Sequence, residues 1–148
     1  MPIRPATLSD IDGWAELRTQ LWDDVPYHQH IAEIRTMLAK PPGEFIAFLD
    51  AANGIDFRAF AEAALRHDYV NGCETSPVAF LEGIFVRPEH QRSGIGANLL
   101  RSVQSWAQEH GCSELASDAD IENLVSHAFH TASGFDETER VVYFRKLL

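Results

Sequence analysis

Apolar residues change their spacing several times along this chain, and each change marks a new element. After a short opening strand at Pro2 to Arg4, Leu8, Ile11, Trp14, Leu17 and Leu21 recur at the repeat of one helical face. Thr7 or Ser9 is available as the cap of that helix. Pro26 in WDDVPY interrupts the series, and Ile31, Ile34, Met37 and Leu38 begin a second helix that Pro41, Pro42 and Gly43 stop. The stretch EFIAFLDAANGIDFRAFAEAALRHDY reads as two strands turning at Ala52-Asn53-Gly54, although the alanines of the second also suit a helix. A loop, VNGCETSP, leads into VAFLEGIFV (Val78 to Val86), an apolar run bounded by turn residues, as a buried central strand should be. Ile95, Leu99, Leu100, Val103 and Trp106 share one face of a helix from Gly94 to His110, which Gly111 closes. A strand (Glu114 to Ser117), a helix (about Ile121 to Thr131), a stop at Gly134 and a pair of strands within Phe135 to Lys146 complete the order. The pattern predicts an α/β fold with a mixed central sheet flanked by helices.

Composition narrows the functional classes. The 148 residues are 45% hydrophobic, enough for one core, and contain no repeat, low-complexity tract or linker, so a single domain spanning 1–148 is expected. No apolar run approaches the roughly 20 residues of a membrane span, and MPIRPATLSD lacks a signal-peptide core, so a cytoplasmic location is expected. A net charge of -10 argues against nucleic acid or an anionic membrane as partner and admits a cationic ligand. Cys73 and Cys112 form neither a CxxC pair nor a disulfide framework. His28 and His30 stand near each other without the spacing of a metal site, and no metal is expected.

The chemistry concentrates after the central strand. In VRPEHQRSGIGANLL a strand feeds a turn and then a helix whose first residues are Gly94, Ile95 and Gly96. Such a helix start presents unpaired N–H groups and the positive end of the helix dipole, which suit a phosphate or pyrophosphate. Gln91 and Arg92 add side-chain donors at its mouth. The spacing is neither that of a Walker loop nor GxGxxG, and the same glycines would also serve a plain turn and close helix packing.

Gln91-Arg92-Ser93-Gly94-Ile95-Gly96, preceded by LEGIFVRPEHQ, resembles the Q/R-x-x-G-x-G/A signature of the GNAT acetyltransferase superfamily. ENLVSHAFHTASGF resembles its second block. The resemblance implies acetyl-CoA as cosubstrate, its pyrophosphate held by Gln91, Arg92, Ser93, Gly94, Ile95 and Gly96, its arm met by Asn123, and its carbonyl held by backbone N–H groups of Ile84, Phe85 and Val86. Within the superfamily, QLW, RHDYVNGCE, SPVAFLEGIFV, ASD and GFDETERVVYFRK are similar to the aminoglycoside 6'-N-acetyltransferases. That likeness implies a polycationic acceptor, antibiotic resistance, a homodimer, and acceptor contacts from Trp22, Tyr69 and Glu139. Asp23, Asp24, Glu82, Asp118, Asp136, Glu137 and Glu139 are candidate counter-charges for ammonium groups.

Acetyl transfer to an amine by direct attack in a ternary complex needs a proton acceptor and donors on the carbonyl. Glu82 is the leading candidate base, directly or through water, because simple alternation places it on the parity of Ile84 and Val86. It could instead only bind an ammonium, and Asp118 could be the base, an anchor or an N-cap. His130 stands where many family members carry the Tyr that protonates the leaving thiolate, and it is expected to be dispensable or only partly involved. Transfer to a different amine (a polyamine, an amino sugar or a peptide N-terminus) and non-catalytic acyl-CoA binding are the competing readings; the latter has no need of Glu82.

Overall fold

A computed structural model describes residues 3–148; Pro2, at the start of the expected opening strand, lies outside them. The order is β1 (Ile3–Pro5), α1 (Ile11–Leu21), α2 (Tyr27–Leu38), β2 (Phe45–Ala52), β3 (Asp56–Arg66), β4 (Val78–Val86), α3 (Ile95–Glu109), β5 (Leu115–Ser117) and α4 (Leu124–Ala132). A 3-10 turn, Leu8–Asp10, leads into α1. There the Asp10 carboxylate accepts from the Thr7 N–H at 2.8 Å and from Arg4, and the Arg4 contact holds it below the usual carboxylate range. The strands lie in the order β1-β2-β3-β4-β5, antiparallel except for β4 and β5. The β2–β3 hairpin closes through Asn53 and Gly54 at φ 55° and 73°, a conformation that Asn and Gly tolerate.

Each face of the sheet carries its own core. Trp14, Ala15 and Leu17 of α1 and Ile34 of α2 pack on Ala47, Leu49 and Phe60. On the opposite face Leu99, Leu100, Val103 and Trp106 of α3 cover Ala59, Ala61, Ala63, Ala79 and Leu81. The alternate alanines of β3, which made that strand ambiguous in sequence, are the small residues over which α3 seats. Leu99 and Val103 are fully buried, each worth about 1.5–3 kcal/mol against exposure.

Two boundaries differ from the sequence pattern. Helix α4 starts at Leu124 because Asn123 caps it, its side-chain oxygen accepting from the Ser126 N–H at 3.1 Å after a turn closed by Asp120. The expected strand pair within Phe135 to Lys146 does not form; residues 135–148 carry no regular secondary structure. A strand needs a partner edge for its backbone groups, and this arm pairs with none in its own chain. Its apolar run is left bare, with Val142, Tyr143 and Phe144 at 77%, 83% and 91% exposure.

Candidate active site

Two irregularities in β4 shape the site. The first is a bulge. Glu62 faces Gly83 while Ala63 faces Leu81, so Glu82 is the extra residue, without a cross-strand partner. Beyond the bulge the parity reverses. Ile84 and Val86 pack toward α3, whereas Glu82 lines a cavity on the α1–α2 face with Trp22 and Arg18. The alternation that placed Glu82 beside Ile84 and Val86 is therefore corrected by one inserted residue.

The second irregularity is early separation. β4 and β5 pair only at Ala79–Leu115, Phe80–Ala116 and Leu81–Ser117, so Glu82 to Val86 continue without a neighbour on the β5 side. The Arg87 N–H donates to the Arg58 carbonyl of β3 at 2.9 Å, so by alternation the N–H groups of Val86 and Ile84 point away from β3 into the gap. Phe85 has the opposite orientation, its ring packing on Phe60 at 6.5 Å.

At the end of this gap stands the start of α3. Gly94 is its N-cap at φ 83°, a left-handed conformation natural to glycine. The first helical bond runs from the Asn98 N–H to the Gly94 carbonyl, which leaves the N–H groups of Ile95, Gly96 and Ala97 without helical acceptors. Arg92 also has a left-handed backbone, at φ 62°. Ser93 bonds to the His90 carbonyl, and the Gln91 amide donates to the Val86 carbonyl at 3.2 Å, so both brace the loop. A Cβ on Gly96 would sit 3.4 Å from Phe129 of α4, an ordinary contact, so that position needs a small residue rather than a special backbone. The donor set, main-chain N–H groups at a helix start with an arginine beside them, fits a pyrophosphate. The free strand edge fits an extended, amide-bearing arm.

On the other face lies a cavity of about 620 Å³ lined by Arg18, Trp22, Asp24, His30, Glu33, Glu62 and Glu82 among others. Its floor is a buried network absent from the sequence reading. Glu62 accepts from Arg18 Nη1 at 2.5 and 2.6 Å and from Trp14 Nε1 at 2.8 Å. Arg18 Nε donates to His30 Nδ1 at 3.1 Å, which leaves His30 Nε2 to donate to the Trp22 carbonyl at 3.2 Å. Burial pushes the Glu62 carboxyl up, against the opposing pull of Arg18 and Trp14. The network fixes Trp22, whose ring covers Gly83 so closely that a Cβ there would lie 2.6 Å from it. A lone glutamate in the apolar run AFAEAAL was the available signal for Glu62.

The remaining sequence candidates fall elsewhere. Asp118 and Glu139 line a second cavity, between β5, α4 and the C-terminal arm, together with Asp136 and Glu137. Tyr69 is exposed on the β3–β4 loop and lines neither cavity. The Asn123 side-chain oxygen is engaged as the α4 cap. His130 joins α4 to β5, with Nδ1 on the Ser126 carbonyl at 2.7 Å and Nε2 on Ser117 Oγ at 2.8 Å. Cys73 and Cys112 are free, and burial pushes both thiols up. Among the described residues no group of three or more His, Cys, Asp or Glu side chains is placed to hold a metal ion.

A mixed sheet whose fourth and fifth strands part beside a glycine-started helix is the architecture of an acyl-CoA transferase, and the chain belongs to the acetyltransferase (GNAT) family, which it matches over residues 11–135. It is 55% identical to the aminoglycoside N(6')-acetyltransferase type 1 of Serratia marcescens, over 94% of each chain. It is 47% identical to the same enzyme of Acinetobacter baumannii, over 99% of this chain and 98% of that protein. Among solved structures, AAC(6')-Iy in complex with the bisubstrate analogue CoA-S-monomethyl-acetylneamine superposes with a TM-score of 0.91 at 42% identity, covering 99% of this chain and 97% of that one. No helix among the described residues is long and apolar enough to cross a membrane.

Proposed function

We propose that this enzyme transfers the acetyl group of acetyl-CoA to the 6'-amino group of aminoglycosides and so confers resistance to them. The observation that carries the reading is the pairing of two half-sites on one strand. β4 turns free N–H groups toward a pyrophosphate-binding helix start on one side of its bulge and a carboxylate toward an acid-rimmed cavity on the other. The likeness to named aminoglycoside 6'-acetyltransferases along nearly the whole chain supports the choice of acceptor.

In this reading Ile95, Gly96 and Ala97 N–H groups, with Arg92, hold the pyrophosphate, and Gln91 and Ser93 keep the loop in shape. Ile84 and Val86 N–H groups hold the carbonyl. Glu82 takes the proton from the acceptor ammonium, directly or through water; the amine nitrogen then bonds to the carbonyl carbon, the C–S bond breaks to release thiolate, and the second proton on that nitrogen passes to the thiolate through solvent, leaving a neutral amide and CoA thiol. Asp24 and Glu33 supply counter-charge for the other ammonium groups. Asp118, Glu139 and Asn123 meet the substrates from the α4 side, and Tyr69 from the β3–β4 loop. His130 stays a structural joint, so His130→Ala retains turnover within about a thousandfold.

Thiol release from acetyl-CoA tests the function with kanamycin, with its 6'-hydroxyl counterpart and with spermidine. Turnover with kanamycin alone is the expected result. Turnover with spermidine alone would replace the acceptor class, and silence with all three would remove the activity.

We infer as well that two copies pair through the C-terminal arm. Tyr143 and Phe144 are bare, β5 is a three-residue sheet edge, and Arg145 and Lys146 complement the acids around Asp118 and Asp136. Sedimentation at micromolar concentration should give a dimer mass that Tyr143→Glu with Phe144→Glu converts to a monomer; a monomeric wild type contradicts the pairing.

A further inference from the structure

We propose that Arg66 is the counter-ion that an acceptor must displace from Glu82, and that it thereby favours acceptors carrying several ammonium groups over those carrying one. The inference rests on the placement of Glu82 in the acceptor site.

Arg66 is the last residue of β3, and its cross-strand partner is Val78, not Glu82. Its side chain must therefore run along the sheet to reach the bulge. On the way the guanidinium carbon passes 3.8 Å from the centroid of the Phe80 ring, and Nη2 ends 3.0 and 3.3 Å from the two Glu82 oxygens. Phe80 is buried, so it forms a fixed platform for the cation. Glu82, lacking a cross-strand neighbour, is met by a charge from its own chain at the place where the reaction requires the charge of an acceptor.

The other cations of the cavity do not compete for this position. Arg18 is committed to Glu62 and Glu33, and Lys40 pairs with neither Glu33 nor Glu82. An ammonium arriving at Glu82 therefore exchanges one cation for another. For a monoamine the exchange gains little, because a tethered planar guanidinium is replaced by a free point charge. A polyamine also meets Asp24 and the exposed side of Glu33, whose other oxygen Arg18 holds, and these contacts keep it at the site while Arg66 leaves. Arg66 and Glu82 side chains are 44% and 35% exposed, so the barrier is modest, about two- to fivefold in apparent affinity.

The test compares wild type, Arg66→Gln and Arg66→Lys at saturating acetyl-CoA, with kanamycin and with 6-amino-6-deoxyglucose as acceptors. Arg66→Gln should lower the KM for the monoamine about two- to fivefold and that for kanamycin less, with kcat carrying none of the gain and the acetyl-CoA KM unmoved. Arg66→Lys, which keeps a cation on the same strand end, should move both values back toward wild type. An unchanged or raised monoamine KM in Arg66→Gln, or an equal fall for both acceptors, overturns the proposal. Wild-type turnover of kanamycin is the separate check on the function itself; if it is absent, calorimetric binding of the two amines to wild type and Arg66→Gln decides the Arg66 question by the same ratios.

Discussion

Removing the guanidinium from beneath the acceptor cavity, by Arg18→Met, exposes how much of this fold depends on one buried charge pair. Arg18 and Glu62 side chains are only 6% and 2% exposed, and the two carboxylate oxygens receive Arg18 at 2.5 and 2.6 Å. Met retains most of the apolar stem against Trp22, over which the Arg18 guanidinium lies at 4.7 Å, so packing changes little. What remains is a carboxylate with one neutral donor, Trp14 Nε1, on a side chain only 2% exposed. Breaking a buried pair in this way costs about 3–5 kcal/mol. For a chain of this length each kcal/mol lowers Tm by about 2–4 °C, so a fall of about 6–20 °C is expected.

The pH dependence gives the sharper test. Burial already pushes Glu62 above its ordinary value of 4.5, and loss of Arg18 removes the strongest opposing influence. A carboxyl raised in the folded state keeps its proton there when the unfolded chain has lost it. Stability of Arg18→Met should therefore be retained at low pH and lost as pH rises from about 4.5 through the raised value. Adding Glu62→Gln, which cannot ionise, should flatten that dependence and recover stability at pH 8. Urea denaturation of wild type, single and double variants between pH 4.5 and 8 measures all three. A single-variant loss below about 1 kcal/mol at pH 7.5, or a gap from wild type that does not widen with pH, would refute the reasoning.

Three further outcomes follow from the site. Gly94→Ala places a side chain at φ 83° with nothing within 4 Å, so it should cost about 1 kcal/mol in backbone strain and raise the acetyl-CoA KM while leaving the acceptor KM unchanged. Gly83→Ala drives a methyl into the Trp22 ring and should do the converse, weakening the acceptor in steady-state kinetics with little effect on acetyl-CoA binding measured by calorimetry. Glu82→Gln should lower kcat by about a hundredfold or more at pH 7; a fall of less than tenfold would reassign the proton acceptor to Asp118 or solvent.

Periodicity revealed most of the fold because the elements are two-sided in a regular way. Leu99, Val103 and Trp106 lie on the predicted face, and Asn53-Gly54 turns the predicted hairpin. Motif spacing likewise located the α3 start with Gly94 as its cap. What stayed hidden depends on events that spacing does not encode. One inserted residue at Glu82 reversed the parity of everything after it, and its only local sign was the strand-interior glycine beside it, Gly83. The Arg18–Glu62–His30 network joins positions 44 and 12 residues apart, a proximity that only the tertiary fold creates. The arm beyond Gly134 carries a strand-like apolar run, Val141 to Phe144, yet pairing requires an edge that its own chain does not offer.

The early parting of β4 from β5 has a consequence for how this scaffold can change. In the proposed reading the donor half of the site is mostly main chain at a strand edge and one helix start, so few positions beyond Gly94 and Arg92 can alter it by replacement. The acceptor half is made of side chains across the bulge. A lineage can therefore exchange one amine for another by altering a few positions on α1, α2 and the end of β3, while the thioester remains held in the same place. An inhibitor built on the main-chain side would meet a surface that resistance mutations have few ways to reshape.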